Sequence, residues 1–300
     1  MPMKYRSNRK KGRPMRRKIL IPLLLVVVFE FFPCGGGELL AQVPASQDTA
    51  QGNPVLRDSV VQNRYNLSQF GRETWGFVKQ PFTWGGNDWL KVGAIGVATL
   101  LVMEVDEPIR IYITEQNRSY KTVPLEVGRL WAETYPPLLF FTGFAAHSLL
   151  TGDVRSKKVA FELVQVVLYA GAARTIMAKT IGRARPFSNE GPKSFHPFTT
   201  HEPVQDYQSL PGGHCVIGFA LSTVLSRNAG PVWLKTLAYV PAALTFVSRV
   251  YQNKHWASDE ILGTALGYLV ATWVVDQHEK GESRIQVSSL FPLTISIALN

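Results

Sequence analysis

The 300-residue chain contains two cysteines, Cys34 and Cys215. That is too few for a disulfide framework or a cysteine-built zinc site. Charge is sparse as well, at 18% Asp, Glu, Lys and Arg, where soluble domains carry about 25%. No internal repeat is visible, which sets solenoid architectures aside. The net charge of +10 points towards nucleic acid only until it is located. Nine Lys or Arg fall within residues 1–18 with no acid among them, leaving about +1 for all that follows. The body of the chain lacks a basic face that could track a phosphate backbone, so nucleic-acid binding is discounted.

What the chain does have is apolar. Hydrophobic residues make up 46% of it, with seven Trp and sixteen Phe. The basic head runs into ILIPLLLVVVFEFF (19–32) and then CGGGELLAQVPA. A positive start, a short apolar run and small residues near Ala41 make residues 1–41 an export signal or an uncleaved signal anchor. Residues 42–87 begin as a polar linker. They continue through Phe70, Trp75, Phe77, Phe82 and Trp84, a pattern that suits a segment lying at a membrane interface. Six apolar segments bounded by Pro, Gly or charge follow, at 89–105, 134–150, 159–178, 213–226, 233–250 and 259–276, and each reads as a helix. A bilayer span needs about 20 apolar residues, and several of these are shorter. The expectation is an all-α bundle of six helices over residues 88–278, membrane-integrated or membrane-associated. The tail, 279–300, alternates weakly and either forms a strand or frays.

Three short stretches carry chemistry. In SRVYQNKHWASD (248–259), His255 and Asp259 are four apart, a spacing that a helix would stack on one face. A carboxylate so placed can hold an imidazole in one tautomer. Arg249 adds a planar fork of donors suited to phosphate oxygens. In SLPGGHC (209–215), Pro211, Gly212 and Gly213 can make a tight turn that opens the fourth helix. The free N–H groups of such a helix start favour anions, and His214 brings a second imidazole. In AKTIGRARPFSNEGP (178–192), Lys179, Arg183 and Arg185 close the third helix and Pro186 stops it. The three stretches sit at helix ends that share one end of an up-and-down bundle. Several cations and two histidines would meet there, and such a cluster needs an anion. His147, His196 and His201 receive no role, and Glu104 and Asp106 read as an interface boundary after the first helix.

These motifs resemble the type 2 phosphatidic acid phosphatase (PAP2) family, which shares its fold with vanadium haloperoxidases and glucose-6-phosphatase. The family pattern is K-x6-RP, then PSGH, then SR-x5-H-x3-D. Ser248, Arg249, His255 and Asp259 match the third motif in full, and Arg185 and Pro186 match the first. There are two departures. Gly212 stands where the family has Ser, so that hydroxyl donor is missing. Lys179 lies one residue too close to Arg185, with Ala178 at the family's Lys position, and either Lys179 or Arg183 would have to supply that cation.

The resemblance implies a six-helix bundle that hydrolyses a phosphomonoester or diphosphate without a metal or other cofactor. His255 would attack phosphorus to form a phosphohistidine, with Asp259 orienting its ring. His214 would protonate the leaving oxygen and then activate water. Arg185, Arg249 and Lys179 would neutralise the phosphoryl oxygens, helped by the Gly213 N–H at the Gly212 turn and by Ser248. The implied partners are the membrane and a phospholipid or isoprenoid phosphate: phosphatidic acid, phosphatidylglycerophosphate, undecaprenyl diphosphate or the lipid A phosphate. Two other outcomes stay open, a vanadate-dependent haloperoxidase and a non-catalytic protein with a degenerate site. Arg155, Lys157 and Lys158 favour a cytoplasmic loop between the second and third helices, hence an inner-membrane protein whose site faces the periplasm.

Overall fold

A computed structural model describes residues 64–115, 122–283, 285–290 and 293–297. The expected signal segment (1–41) and the polar stretch 42–63 lie outside the described residues. The chain enters through α1 (Leu67–Lys79), capped by the Asn66 side chain on the Gln69 N–H, and continues into α2 (Gly86–Met103). Two short helices follow, α3 (Asp106–Glu115) and α4 (Val123–Trp131). Then come α5 (Tyr135–Thr151), α6 (Val154–Ile181), α7 (Gly213–Asn228), α8 (Val232–Leu237), α9 (Val240–Tyr251) and α10 (Ala257–Ser283). The alternating tail forms strands, β1 (Ile285–Leu290) and β2 (Leu293–Ile297), paired antiparallel from Ile285↔Ile297 to Leu290↔Leu293 with an irregularity between Val287 and Ser289.

The six expected helices are present, and one of them is divided. The segment 233–250 is interrupted before Pro241, which has no N–H to continue a helix ladder, so α8 ends at Leu237 and α9 restarts at Val240. Helices α3 and α4 escaped the apolar-run criterion because they are short and charged, DEPIRIYITE and VPLEVGRLW. α6 has clear stops at both ends. The Asp153 side chain accepts from the Ser156 N–H at 2.8 Å, and Gly182 at φ 65° closes the helix in the left-handed region. A Cβ at Gly182 would also lie 1.9 Å from the His196 carbonyl, so glycine is required there for both reasons.

The core lies between α6, α7 and α10. Val159, Leu163, Val166 and Ala170 recur at helical spacing on α6 and meet Val216, Ala220 and Val224 of α7 and Ala271, Val274 and Val275 of α10, all buried. Backbones touch where side chains are absent. A Cβ on Gly267 of α10 would fall 2.2 Å from the Val216 carbonyl of α7, and one on Gly128 of α4 would fall 2.2 Å from the Leu244 carbonyl of α9. This close approach sets how far α10 sinks towards α7, and therefore where the motif at its N-terminus sits.

Around this core the surface is unusually apolar. α5 is apolar around its whole circumference, and Leu138, Leu139, Leu149 and Leu150 are exposed, as are Trp89, Leu90, Leu100 and Leu101 of α2. Among the described residues, α6 is the one helix long and apolar enough to cross a membrane.

Because no space exists for a methyl group between α10 and α7, Gly267→Ala should separate them. We expect destabilisation of about 1–3 kcal/mol, read as a lowered thermal midpoint of the detergent-solubilised protein. An unchanged midpoint would show that the two helices can slide apart freely.

Candidate active site

The loop after α6 is pinned from several sides. The Ala184 N–H donates to Ser194 O at 3.0 Å, Arg185 N–H to Asp206 O at 2.8 Å and Ser209 N–H to Arg183 O at 3.0 Å. At its centre is the fully buried Arg183. Its Nε donates to Pro192 O at 2.9 Å, Nη1 to Ser258 Oγ and Asp259 Oδ1, each at 2.6 Å, and Nη2 to Asp106 Oδ2 at 2.8 Å and Pro192 O at 2.6 Å. All five N–H groups of the guanidinium are occupied. Trp256 lies against it, 5.5 Å from ring centroid to Cζ, and donates its indole N–H to Ala184 O at 2.9 Å. Arg183 is therefore a structural clamp, and the expectation that it supplies a phosphate cation is corrected.

Asp106 is corrected too. It is buried at 1% exposure and receives Arg183, the Ser258 hydroxyl at 2.5 Å and the Ser258 N–H at 3.0 Å. An interface boundary would be wet; this residue locks α3 onto the start of α10.

His255 precedes α10 in an irregular turn, so the four-residue spacing to Asp259 is that of a helix cap and not of two stacked turns. Asp259 accepts the Trp256 N–H at 2.8 Å and the Ser209 hydroxyl at 2.5 Å, besides Arg183. Its carboxylate stands 3.7 Å from His255 Nδ1, beyond hydrogen-bond reach. Nδ1 instead lies 3.0 Å from the Ser209 carbonyl. A carbonyl only accepts, so Nδ1 carries the proton and Nε2 the lone pair. The His255 ring is 1% exposed, it lines the cavity described below, and its Nε2 has no partner. The orientation expected from Asp259 thus runs through Ser209, which joins the carboxylate by its hydroxyl and the imidazole by its carbonyl.

A cavity of about 360 Å³ opens beside these groups, lined among others by Glu133, Arg174, Arg185, Gly213, His214 and His255. The His214 and His255 ring centroids are 6.2 Å apart. His214 Nε2 accepts from Arg249 Nη1 at 3.3 Å and lies 3.9 Å from Glu133 Oε1. The first bond inside α7 runs from Val216 N–H to Gly212 O, so the N–H groups of Gly213, His214 and Cys215 have no partner within the helix. Gly212 differs from Gly213. Its N–H is spent on the Asp259 carbonyl at 2.9 Å.

Burial holds the His255 imidazole well below its ordinary range, at about 4, against the opposing pull of Asp259. His214 falls further, to about 3, through burial and then the positive charge of Arg249 and the other nearby cations. Both rings are neutral at pH 7.

Two expected phosphate ligands are not where the sequence put them. Lys179 is exposed and outside the cavity lining, whereas Arg174, one helical turn before the buried Ala178, is in it. Arg174 is braced by Nη2 on Gln208 O at 2.7 Å and Nε on Pro211 O at 3.4 Å. Ser248 is fully buried with its hydroxyl on Leu125 O at 2.8 Å, tying α9 to α4. Arg185 lines the cavity, its Nε on Gln205 O at 2.9 Å. Arg249 reaches the site through His214, and its Nε is buried without a partner.

Two imidazoles and a set of arginines at one end of three packed helices agree with a family comparison. The family model described as the PAP2 superfamily matches residues 160–282. Over those residues the chain is similar to the PAP2 superfamily. Among similar proteins, a lipid A 1-phosphatase of Rhizobium etli is 29% identical over 62% of this chain and 82% of its own length. A lipid A 1-phosphatase of Porphyromonas gingivalis is 37% identical, but over 23% of this chain and 16% of its own length. An undecaprenyl-diphosphatase of Sulfolobus acidocaldarius is 29% identical over 38% and 52% respectively.

Arg174, Ser209, Asp106 and Glu260 carry no motif signal, although Ser209 lies two residues before Pro211. Only the folding of α3, α6 and α10 onto the loop brings them together.

Removing one partner of a buried ion pair costs about 3–5 kcal/mol. Arg183→Ala should lose that much in equilibrium unfolding. Arg183→Lys should recover only part of it, because three donors on a point charge cannot replace a five-donor fork. A second test concerns pH. In the unfolded chain His255 takes up a proton near its ordinary 6.5, but in the folded protein only near 4, so folding loses stability as pH falls through this window. The difference in thermal midpoint between His255→Asn and wild type should therefore shift in favour of the variant from pH 6.5 to 4. A difference independent of pH would overturn the buried neutral ring.

Proposed function

We propose that this chain is a lipid phosphatase working through a phosphohistidine, with lipid A 1-phosphate as the first substrate to test. The observation that carries the mechanism is the tautomer of His255: its proton is committed to Ser209 O, and its Nε2 lone pair has no partner. That nitrogen attacks phosphorus and the P–O bond to the leaving group breaks. The leaving oxygen keeps the electron pair and takes a proton from His214. Water, deprotonated by His214, then attacks phosphorus. The P–N bond breaks and inorganic phosphate leaves.

His214 must be charged to act as an acid, and its surroundings in the protein alone hold it neutral. A phosphate dianion among Arg174, Arg185 and Arg249 offsets the positive charges that help to depress this imidazole and so raises its proton affinity once substrate is bound. The same arginines and the N–H groups that open α7 stabilise charge on the phosphoryl oxygens as bonds exchange.

Lipid as substrate class rests on the exposed apolar face of α5, whose N-cap Thr134 lines the cavity, on the exposed apolar residues of α2, and on the names of the relatives. Two of the relatives described above are lipid A 1-phosphatases and one is an undecaprenyl-diphosphatase. An inner-membrane position with the site facing the periplasm fits such substrates.

The test is phosphate release by purified protein in EDTA from lipid A, undecaprenyl diphosphate, phosphatidic acid and a soluble aryl phosphate. His255→Ala should abolish release, and His214→Ala should lower kcat by about 10²–10⁴-fold, the usual worth of a general acid. Arg174→Ala should weaken kcat/KM far more than Lys179→Ala. Absence of release from every substrate by folded wild type would refute the enzyme reading and favour the degenerate site.

A further inference from the structure

The missing side chain at residue 212 leaves a space, and that space is filled. A Cβ on Gly212 would lie 2.6 Å from both Cδ and Oε2 of Glu260 and 2.7 Å from its Oε1. Glu260 follows Asp259 in the first turn of α10 and is fully buried, yet neither carboxyl oxygen meets an N–H or O–H donor, and only the weakly donating thiol of Cys215 lies against it. Its Oε1 is 3.9 Å from His255 Nδ1. Leaving a buried carboxyl unpaired is costly, and nothing in the helical packing of α10 requires an acid at this position. The apolar neighbours Ala257 and Ile261 are buried on the same turn.

We propose that Glu260 is a phosphoryl-binding residue of this site, its carboxyl group donating a hydrogen bond at the place where residue 212 offers no hydroxyl. The proposal rests on the phosphatase reading and deepens it. A protonated carboxyl is both donor and acceptor, which suits a group under a turn whose next residue, Gly213, lines the cavity. Burial pushes Glu260 up to about 8, against the Cys215 thiol that donates to it, with Asp259 reinforcing the rise and Arg249 and Arg185 opposing it. The other groups facing it are Cys215, whose thiol lies beside the carboxyl, His255 and Arg174. Below that pH Glu260 donates. Above it a carboxylate stands beside the phosphoryl site and repels the substrate.

The experiment is a comparison of wild type with Glu260→Gln, Glu260→Val, Gly212→Ser and Gly212→Ser/Glu260→Val. Its readouts are kcat/KM for the best lipid phosphate from pH 5 to 10 and competitive inhibition by inorganic phosphate. Loss of one hydrogen bond to a charged group predicts a fall of about tenfold or more for Glu260→Val, in kcat/KM and in phosphate inhibition alike. Glu260→Gln keeps a donor, should lose less, and should lack the decline of wild type above about pH 8. Gly212→Ser alone should be impaired by collision with the carboxyl, and the double variant should recover activity relative to Glu260→Val. If Glu260→Val does not fold, the alkaline limb of Glu260→Gln decides. Wild-type activity with an unchanged alkaline limb in Glu260→Gln, or a double variant no better than Glu260→Val, would overturn Glu260 as a ligand and leave the phosphatase reading standing. No phosphate release by wild type from any substrate would overturn both.

Discussion

The buried guanidinium of Arg183 organises this site more than any other group. A cation taken fully out of water is tolerable only when every N–H is used, and here the five donors reach α3, α10 and the loop after α6 at once. Asp106 and Asp259 are drawn together by the same charge. Asp259 in turn fixes the Trp256 N–H and the Ser209 hydroxyl, and the Ser209 carbonyl sets the tautomer of His255. The position of His255 Nε2 is thus a consequence of two satisfied ion pairs, two hydrogen bonds removed.

Around that satisfied clamp the structure leaves other polar groups unsatisfied. His255 Nε2 and Arg249 Nε are buried without partners, and the Glu260 carboxyl has only the Cys215 thiol against it, close to the N–H groups that open α7. Groups of this kind are rare in folded proteins, because each costs free energy. Of these, Arg249 Nε is a donor, and together with the N–H groups that open α7 it offers donors at the end of the bundle where the cavity lies.

A second polar cluster shows the contrast. His278 lies nineteen residues beyond Asp259 on α10, roughly 28 Å along a helix axis. Its Nδ1 meets Glu162 Oε1 at 3.1 Å and its Nε2 meets Glu73 Oε2 at 3.1 Å, while Gln165 and Asn228 donate to the same carboxylates at 2.7 and 2.6 Å. This cluster fastens α1 to α6 and α10. The same helix therefore carries near its C-terminus a histidine with both ring nitrogens engaged, and just before its start one whose Nε2 has no partner.

Much of this was legible in the residues. Apolar runs bounded by Pro, Gly or charge marked six helices, and the spacing of Arg185, His214, Arg249, His255 and Asp259 along the chain marked the site, because covalent order alone puts those residues at helix ends. The sequence by itself determined the all-α class and the residues able to handle a phosphate. Only the tertiary structure decided which of the cations line the cavity. Arg174 rather than Lys179 lines the cavity because α6 turns that face towards α7, and Arg183 is consumed by Asp106, a residue seventy-seven positions away. Ser248 was likewise diverted to Leu125, and Glu260 was brought under Gly212, by packing of α9 on α4 and of α10 on α7. Spacing reports what lies within a turn or two of helix; which buried donor meets which acceptor depends on the desolvation of every neighbour at once, and that is settled only when the helices close.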